Sequence, residues 1–157
     1  MPDPSTPVIG AHIHAPATKK ENASIIVNFE NFGSISPSPI VGETLISDQL
    51  IISMMDGLSY VNIHTQLHPS GEIRGQVTLK ELTNGIANFT VNLNGKNEVP
   101  PLDATFSGKG ELVLDVVSRM LSWNIEYGDT QVQKRSHTAE EFQEFTPLPT
   151  YAKGVNQ

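Results

Sequence analysis

Apolar and polar positions alternate with a period of two along most of this chain. From Asn88 to Asn94, Phe89, Val91 and Leu93 interleave with asparagine and threonine, which puts the apolar side chains on one face of a strand. Leu112, Leu114 and Val116 repeat the pattern, and so do Leu121, Trp123, Ile125 and Tyr127, with Val117–Met120 as the hairpin between the two runs. Ile25, Val27 and Phe29 form another such run, as do Val61 with Ile63, and Ile73, Val77 and Leu79. Ile9, Ala11 and Ile13 give one more. Each strand is expected to bury one face and wet the other. Gly33, Pro37, Pro39, Asp56-Gly57, Pro69-Ser70-Gly71, Asn84-Gly85 and Pro100-Pro101 punctuate the runs. The pattern predicts an all-β protein, an antiparallel Greek-key-like β-sandwich or flattened barrel. One helix is expected, over Ser136–Phe145, where Thr138 and Glu141 have capping-box spacing. It falls in a polar C-terminal tail, 129–157, distinct from a sandwich over 1–128.

Composition narrows the chemistry. None of the 157 residues is cysteine, which excludes disulfides, thiolate zinc sites and cysteine nucleophiles, so a metal must use His, Asp or Glu. With 10 Lys+Arg against 17 Asp+Glu, and no basic cluster longer than two residues, nucleic acid is not expected as a partner. No run approaches the ~20 apolar residues of a membrane helix. Residues 1–7 lack the basic and apolar regions of a signal peptide. The chain is therefore read as cytosolic or as secreted after loss of its leader. Two glycosylation sequons, at Asn22 and Asn88, tilt this toward an extracellular or cell-envelope location.

Four of the five histidines lie in the first half. His12 and His14, two apart, leave one face of their strand, while Ala11 and Ile13 take the other. His64 shares a face with Tyr60 and Asn62. If these strands are neighbours, His12, His14 and His64 converge as a three-imidazole site, with His68 as a fourth candidate ligand. Three nitrogens with an open position suit copper first and zinc second. The competing reading is a polar surface with no metal. No Gly-x-Ser-x-Gly elbow or phosphate-cradling loop is present, so no catalytic residue is assigned. Glu72 and Arg74 are read as ladder charges on an exposed face, and Gly75 as a bulge or a close backbone approach.

Two blocks resemble the CHRD (chordin-type) domain. Tyr60–Thr65 followed by Gly71–Val77 is similar to its closing motif, and Phe89–Pro101 leading through Gly108-Lys109-Gly110 to Leu121–Tyr127 is similar to its opening half. Ala11–Ala17 resembles its central His-x-His segment. The order is rotated: the closing part, 8–80, precedes the opening part, 88–128. This implies a circular permutant or a piece spanning two tandem repeats, and a folded monomer or a domain-swapped dimer. The resemblance extends distantly to Cu/Zn superoxide dismutase, whose His-x-His strand and later His strand ligate copper. His12, His14 and His64 stand in analogous places, without a zinc loop or a disulfide.

The resemblance and the residues together lead to the expectation of a non-enzymatic sandwich that binds a metal ion, copper preferred. The alternatives are an extracellular module for a protein or matrix partner, and a copper redox enzyme of the dismutase type.

Overall fold

The computed structural model describes residues 7–129. The helix expected over 136–145 lies outside the described residues. Among these residues nine strands form two antiparallel sheets. The first has the order β2(Ile25–Asn28), β1(Val8–His14), β4(Tyr60–Thr65), β5(Ile73–Gln76). The second has the order β3(Ile40–Leu45), β9(Met120–Asp129), β8(Phe106–Asp115), β7(Ile86–Leu93), β6(Thr78–Thr83). Between them lies the core, with Ala11, Ile13, Val61, Ile63 and Ile73 facing Phe89, Val91, Leu112, Leu114, Leu121, Trp123 and Ile125. The all-β sandwich read from the alternation is the fold observed.

The turns match their chemistry. Asn84 and Gly85 both have positive φ, 53° and 79°, as the two-residue hairpin between β6 and β7 requires. Gly75 is a close approach: a Cβ there would lie 2.1 Å from the Asn92 carbonyl oxygen. Beside it, Arg74 and Asn94 exchange two backbone hydrogen bonds of 3.0 and 3.1 Å, so the parts before and after the 81–87 junction are joined within one chain.

Several expectations need correction. Ile9 is exposed and Val8 is buried in its place, because the β1–β4 register shifts between Val8 and Gly10 and the extra residue turns Ile9 outward. Ile25 is also exposed, on the edge strand. The run Ile73–Leu79 is two strands, one in each sheet, with buried Val77 at the crossing. Strand β3 and helix α1(Asp48–Met55) were not expected. In α1, Ser47 caps the N-terminus by accepting from the Leu50 amide, and Leu50 and Met54 are buried one turn apart. Two turns with two buried residues give too short a pattern to stand out in sequence.

The largest correction concerns the outer face of the first sheet, which was expected to be wet. The loop between β1 and β2 folds across it, and the segment after β7 closes beside it. Glu72 and Arg74, read as exposed ladder charges, are only 2% and 1% exposed.

Candidate metal centre

Pairing register puts the histidines together. On the outer face His14 stands opposite Tyr60, His12 opposite Asn62, and His64 opposite Gly10. Gly10 leaves room for His12 and Glu30 beside it, since a Cβ there would lie 3.1 Å from His12 Cε1 and 3.7 Å from a Glu30 carboxylate oxygen. The His12 and His64 ring centroids are 4.7 Å apart, and His12 Nδ1 lies 3.1 Å from His64 Nε2. The His14 ring stacks on Tyr60, 4.7 Å between centroids and 4° from parallel. One ring nitrogen from each of His12, His14 and His64 lies within 4.8 Å of the other two.

The remaining nitrogens are held by oxygen acceptors. His14 Nδ1 donates to the Ala23 carbonyl at 2.8 Å, and His64 Nδ1 donates to the Pro69 carbonyl at 2.9 Å. His12 Nε2 lies 3.1 Å from a Glu30 carboxylate oxygen. Since these oxygens accept, each bond fixes the proton on the outer nitrogen and leaves a lone pair on the inner one: His12 Nδ1, His14 Nε2 and His64 Nε2. His14 Nε2 is buried and has no hydrogen-bond partner. Burial holds the pKa values of His14 and His64 below the usual imidazole value, against the pull of their carbonyl partners. Glu30 also accepts from the Ala11 amide at 3.2 Å. Burial raises its pKa, but hydrogen bonds from its own amide, Ala11 and His12 outweigh this and hold the carboxyl below its usual range.

This is the donor set that a transition metal takes: neutral imidazoles, each oriented by a hydrogen bond at its other nitrogen. Metal–nitrogen bonds of about 2 Å place ligand nitrogens roughly 3 to 4 Å apart. The 3.1 Å pair already satisfies this, and a small movement of the third ring completes it. His68 does not join the cluster. It lines the cavity beside it, and its backbone carbonyl accepts from Thr65 and Gly71.

Arg74 secures the arrangement from below. Its guanidinium lies 3.5 Å from the centre of the Tyr60 ring and donates to the Thr18 and Glu21 carbonyls and the Asn22 side chain. These bonds pin the β1–β2 loop whose Ala23 carbonyl orients His14. Glu30 is a positioning residue that the sequence reading missed. Strand β2 ends at Asn28, opposite His12, and the 3-10 turn Phe29–Asn31 that follows brings the Glu30 carboxylate to the Ala11 amide and the His12 ring.

No curated protein and no solved structure matches the chain. The model of the CHRD domain matches residues 5–77, the stretch that supplies all three histidines, Glu30, Tyr60 and Arg74.

Proposed function

We propose that this protein binds one transition-metal ion, with copper preferred over zinc, through His12 Nδ1, His14 Nε2 and His64 Nε2. The observation that carries this reading is the convergence of three lone pairs whose tautomers are set by Glu30, Ala23 and Pro69. Three imidazoles bind divalent copper more tightly than zinc in the ordinary order of affinities. A bound ion would also relieve the two facing lone pairs of His12 and His64.

The dismutase alternative needs a cation near the open metal position to attract an anionic substrate. Arg74 does not meet that need, being spent on the loop and covered by Tyr60. The reading is therefore one of binding. CHRD domains are typically extracellular, which supports the same placement here. No helix among the described residues is long and apolar enough to cross a membrane.

Calorimetric titration of Cu²⁺ into the metal-free protein and into His12→Ala, His14→Ala and His64→Ala is the test. One equivalent is expected in the unmodified protein, with affinity falling by about 100-fold or more in each variant. Equal affinity in all four proteins would overturn the assignment.

A further inference from the structure

The chain contains two Asn-Gly pairs, Asn84-Gly85 and Asn94-Gly95, and the fold holds them in opposite ways. An asparagine followed by glycine carries its own nucleophile: the next residue's amide nitrogen can reach the side-chain carbonyl carbon, and glycine has no side chain to hinder the approach. How often that approach is made depends on how firmly the local backbone is held.

Asn84 and Gly85 form the tip of the β6–β7 hairpin, at φ 53° and 79°. Asn84 is exposed, and neither its side chain nor the Gly85 amide makes a hydrogen bond among the described residues. Strand β6 is at the edge of its sheet, and all six of its residues are exposed. Little burial therefore opposes fraying at this tip. A Cβ on Gly85 would meet nothing closer than Val117 Cγ2 at 3.7 Å, so the turn also has room to change shape.

Asn94 is pinned from several sides. Its backbone exchanges two hydrogen bonds with Arg74, and its side-chain oxygen accepts from the Asn97 amide at 3.0 Å. The Gly95 carbonyl accepts from the amides of Glu98 and Leu102. Gly95 itself is buried, and a Cβ there would lie 2.4 Å from the Leu102 carbonyl oxygen. This turn also delivers Glu98, 8% exposed and bonded to Asn62 at 2.5 Å, to the cavity beside the histidines.

We propose that Asn84 is a site of spontaneous deamidation and backbone isomerisation, and that the fold protects Asn94 from the same reaction. The Gly85 amide nitrogen attacks Asn84 Cγ. A new N–Cγ bond forms as the Cγ–Nδ2 bond breaks, and the amide proton leaves with Nδ2 as ammonia, which gives a cyclic imide. Water then opens the ring. Cleavage of the new bond yields aspartate, whereas cleavage of the original peptide bond yields isoaspartate, with the main chain routed through the former side chain. Both products add a negative charge, and nothing is oxidised or reduced. Isoaspartate lengthens the turn by a methylene, so it cannot keep the two-residue geometry that sets the register of β6 on β7.

The test is ageing of the full chain at mildly alkaline pH, where the amide is a better nucleophile, both in native buffer and in guanidinium chloride. Tryptic cleavage after Lys80 and Lys96 releases both asparagines in one peptide, and tandem mass spectrometry reads the replacement of amide by acid at each. In native buffer Asn84 is expected to convert about 10-fold faster than Asn94, or more. In denaturant, where neither turn is held, the two rates should agree within about 3-fold. A native ratio near unity, whether both residues convert or neither does, would overturn the proposal. So would a ratio that persists in denaturant, since the difference would then not come from the fold. The deamidated fraction, separated on anion exchange by its added charge, should show faster hydrogen exchange at the β6 amides, and unchanged protection would overturn the loss of register.

Discussion

His12 Nδ1 and His64 Nε2 lie 3.1 Å apart, although each ring has already given its proton to an oxygen on its far side. With both rings neutral these nitrogens present facing lone pairs, whose repulsion a cation between them, metal ion or proton, removes. Glu30 helps set this geometry, since its bond to His12 fixes which nitrogen faces inward. Replacing it by Ala is expected to weaken copper binding about 10- to 100-fold, with Glu30→Gln less affected. Competition titration against a chelator of known affinity measures both. An Ala variant that binds as tightly as wild type would show that the carboxylate is not needed to orient the ring.

Glu98 makes stability depend on pH in a defined direction. Its folded-state value of about 7 exceeds the ordinary carboxyl value of 4.5, so between these limits the folded protein keeps a proton that the unfolded chain has released. Its contribution is complete below about pH 4.5 and is lost as the pH rises through about 7. Relative to Glu98→Gln, the wild type should lose up to about 3 kcal/mol over that range. Urea unfolding of both proteins at several pH values reads the difference; parallel curves would contradict it.

Arg74 is buried beneath Tyr60 and reaches three acceptors on the β1–β2 loop. Lysine keeps the charge but cannot reproduce the planar fork. Arg74→Lys should cost about 1–3 kcal/mol and loosen the loop that bears Lys19 and Lys20. Faster tryptic cleavage after these lysines would accompany the loss, and unchanged cleavage would place the loop's restraint elsewhere.

At Gly75 the constraint is steric. A methyl group there meets the Asn92 carbonyl of the opposite sheet, so Gly75→Ala should push β5 away from β7 at a cost of about 2–3 kcal/mol. The chemical-denaturation midpoint is the readout, and a neutral result would mean that the two sheets can part there without loss.

Much of this was legible in the sequence, and the part that was not has a physical cause. Period-two alternation identified the core faces of β7, β8 and β9 because each buries one side against the first sheet. His12, His14 and His64 were legible as a cluster because strand parity fixes the face on which each residue lies. Parity also failed informatively: one inserted residue between Val8 and Gly10 exposes Ile9. It could not show that the outer face of the first sheet is covered, since that cover is irregular chain. The burial of Arg74, the orientation of His14 by Ala23 and the place of Glu98 beside the cavity all depend on such segments. Glu30 was hidden for a different reason: nothing local couples it to His12, eighteen positions earlier, until the 3-10 turn Phe29–Asn31 after β2 is known.

The course of β3 has a final consequence. Although β3 lies within the CHRD-matched residues 5–77, all of its pairing is to β9, and β5 is bridged to Asn94. The stretch that matches the domain family is thus smaller than the unit that folds. Grafted alone into another scaffold, it would carry the three histidines but lose the partners of β3, the apolar layer beneath β1 and β4, and Glu98. Transplanting this chemistry therefore means moving both sheets together.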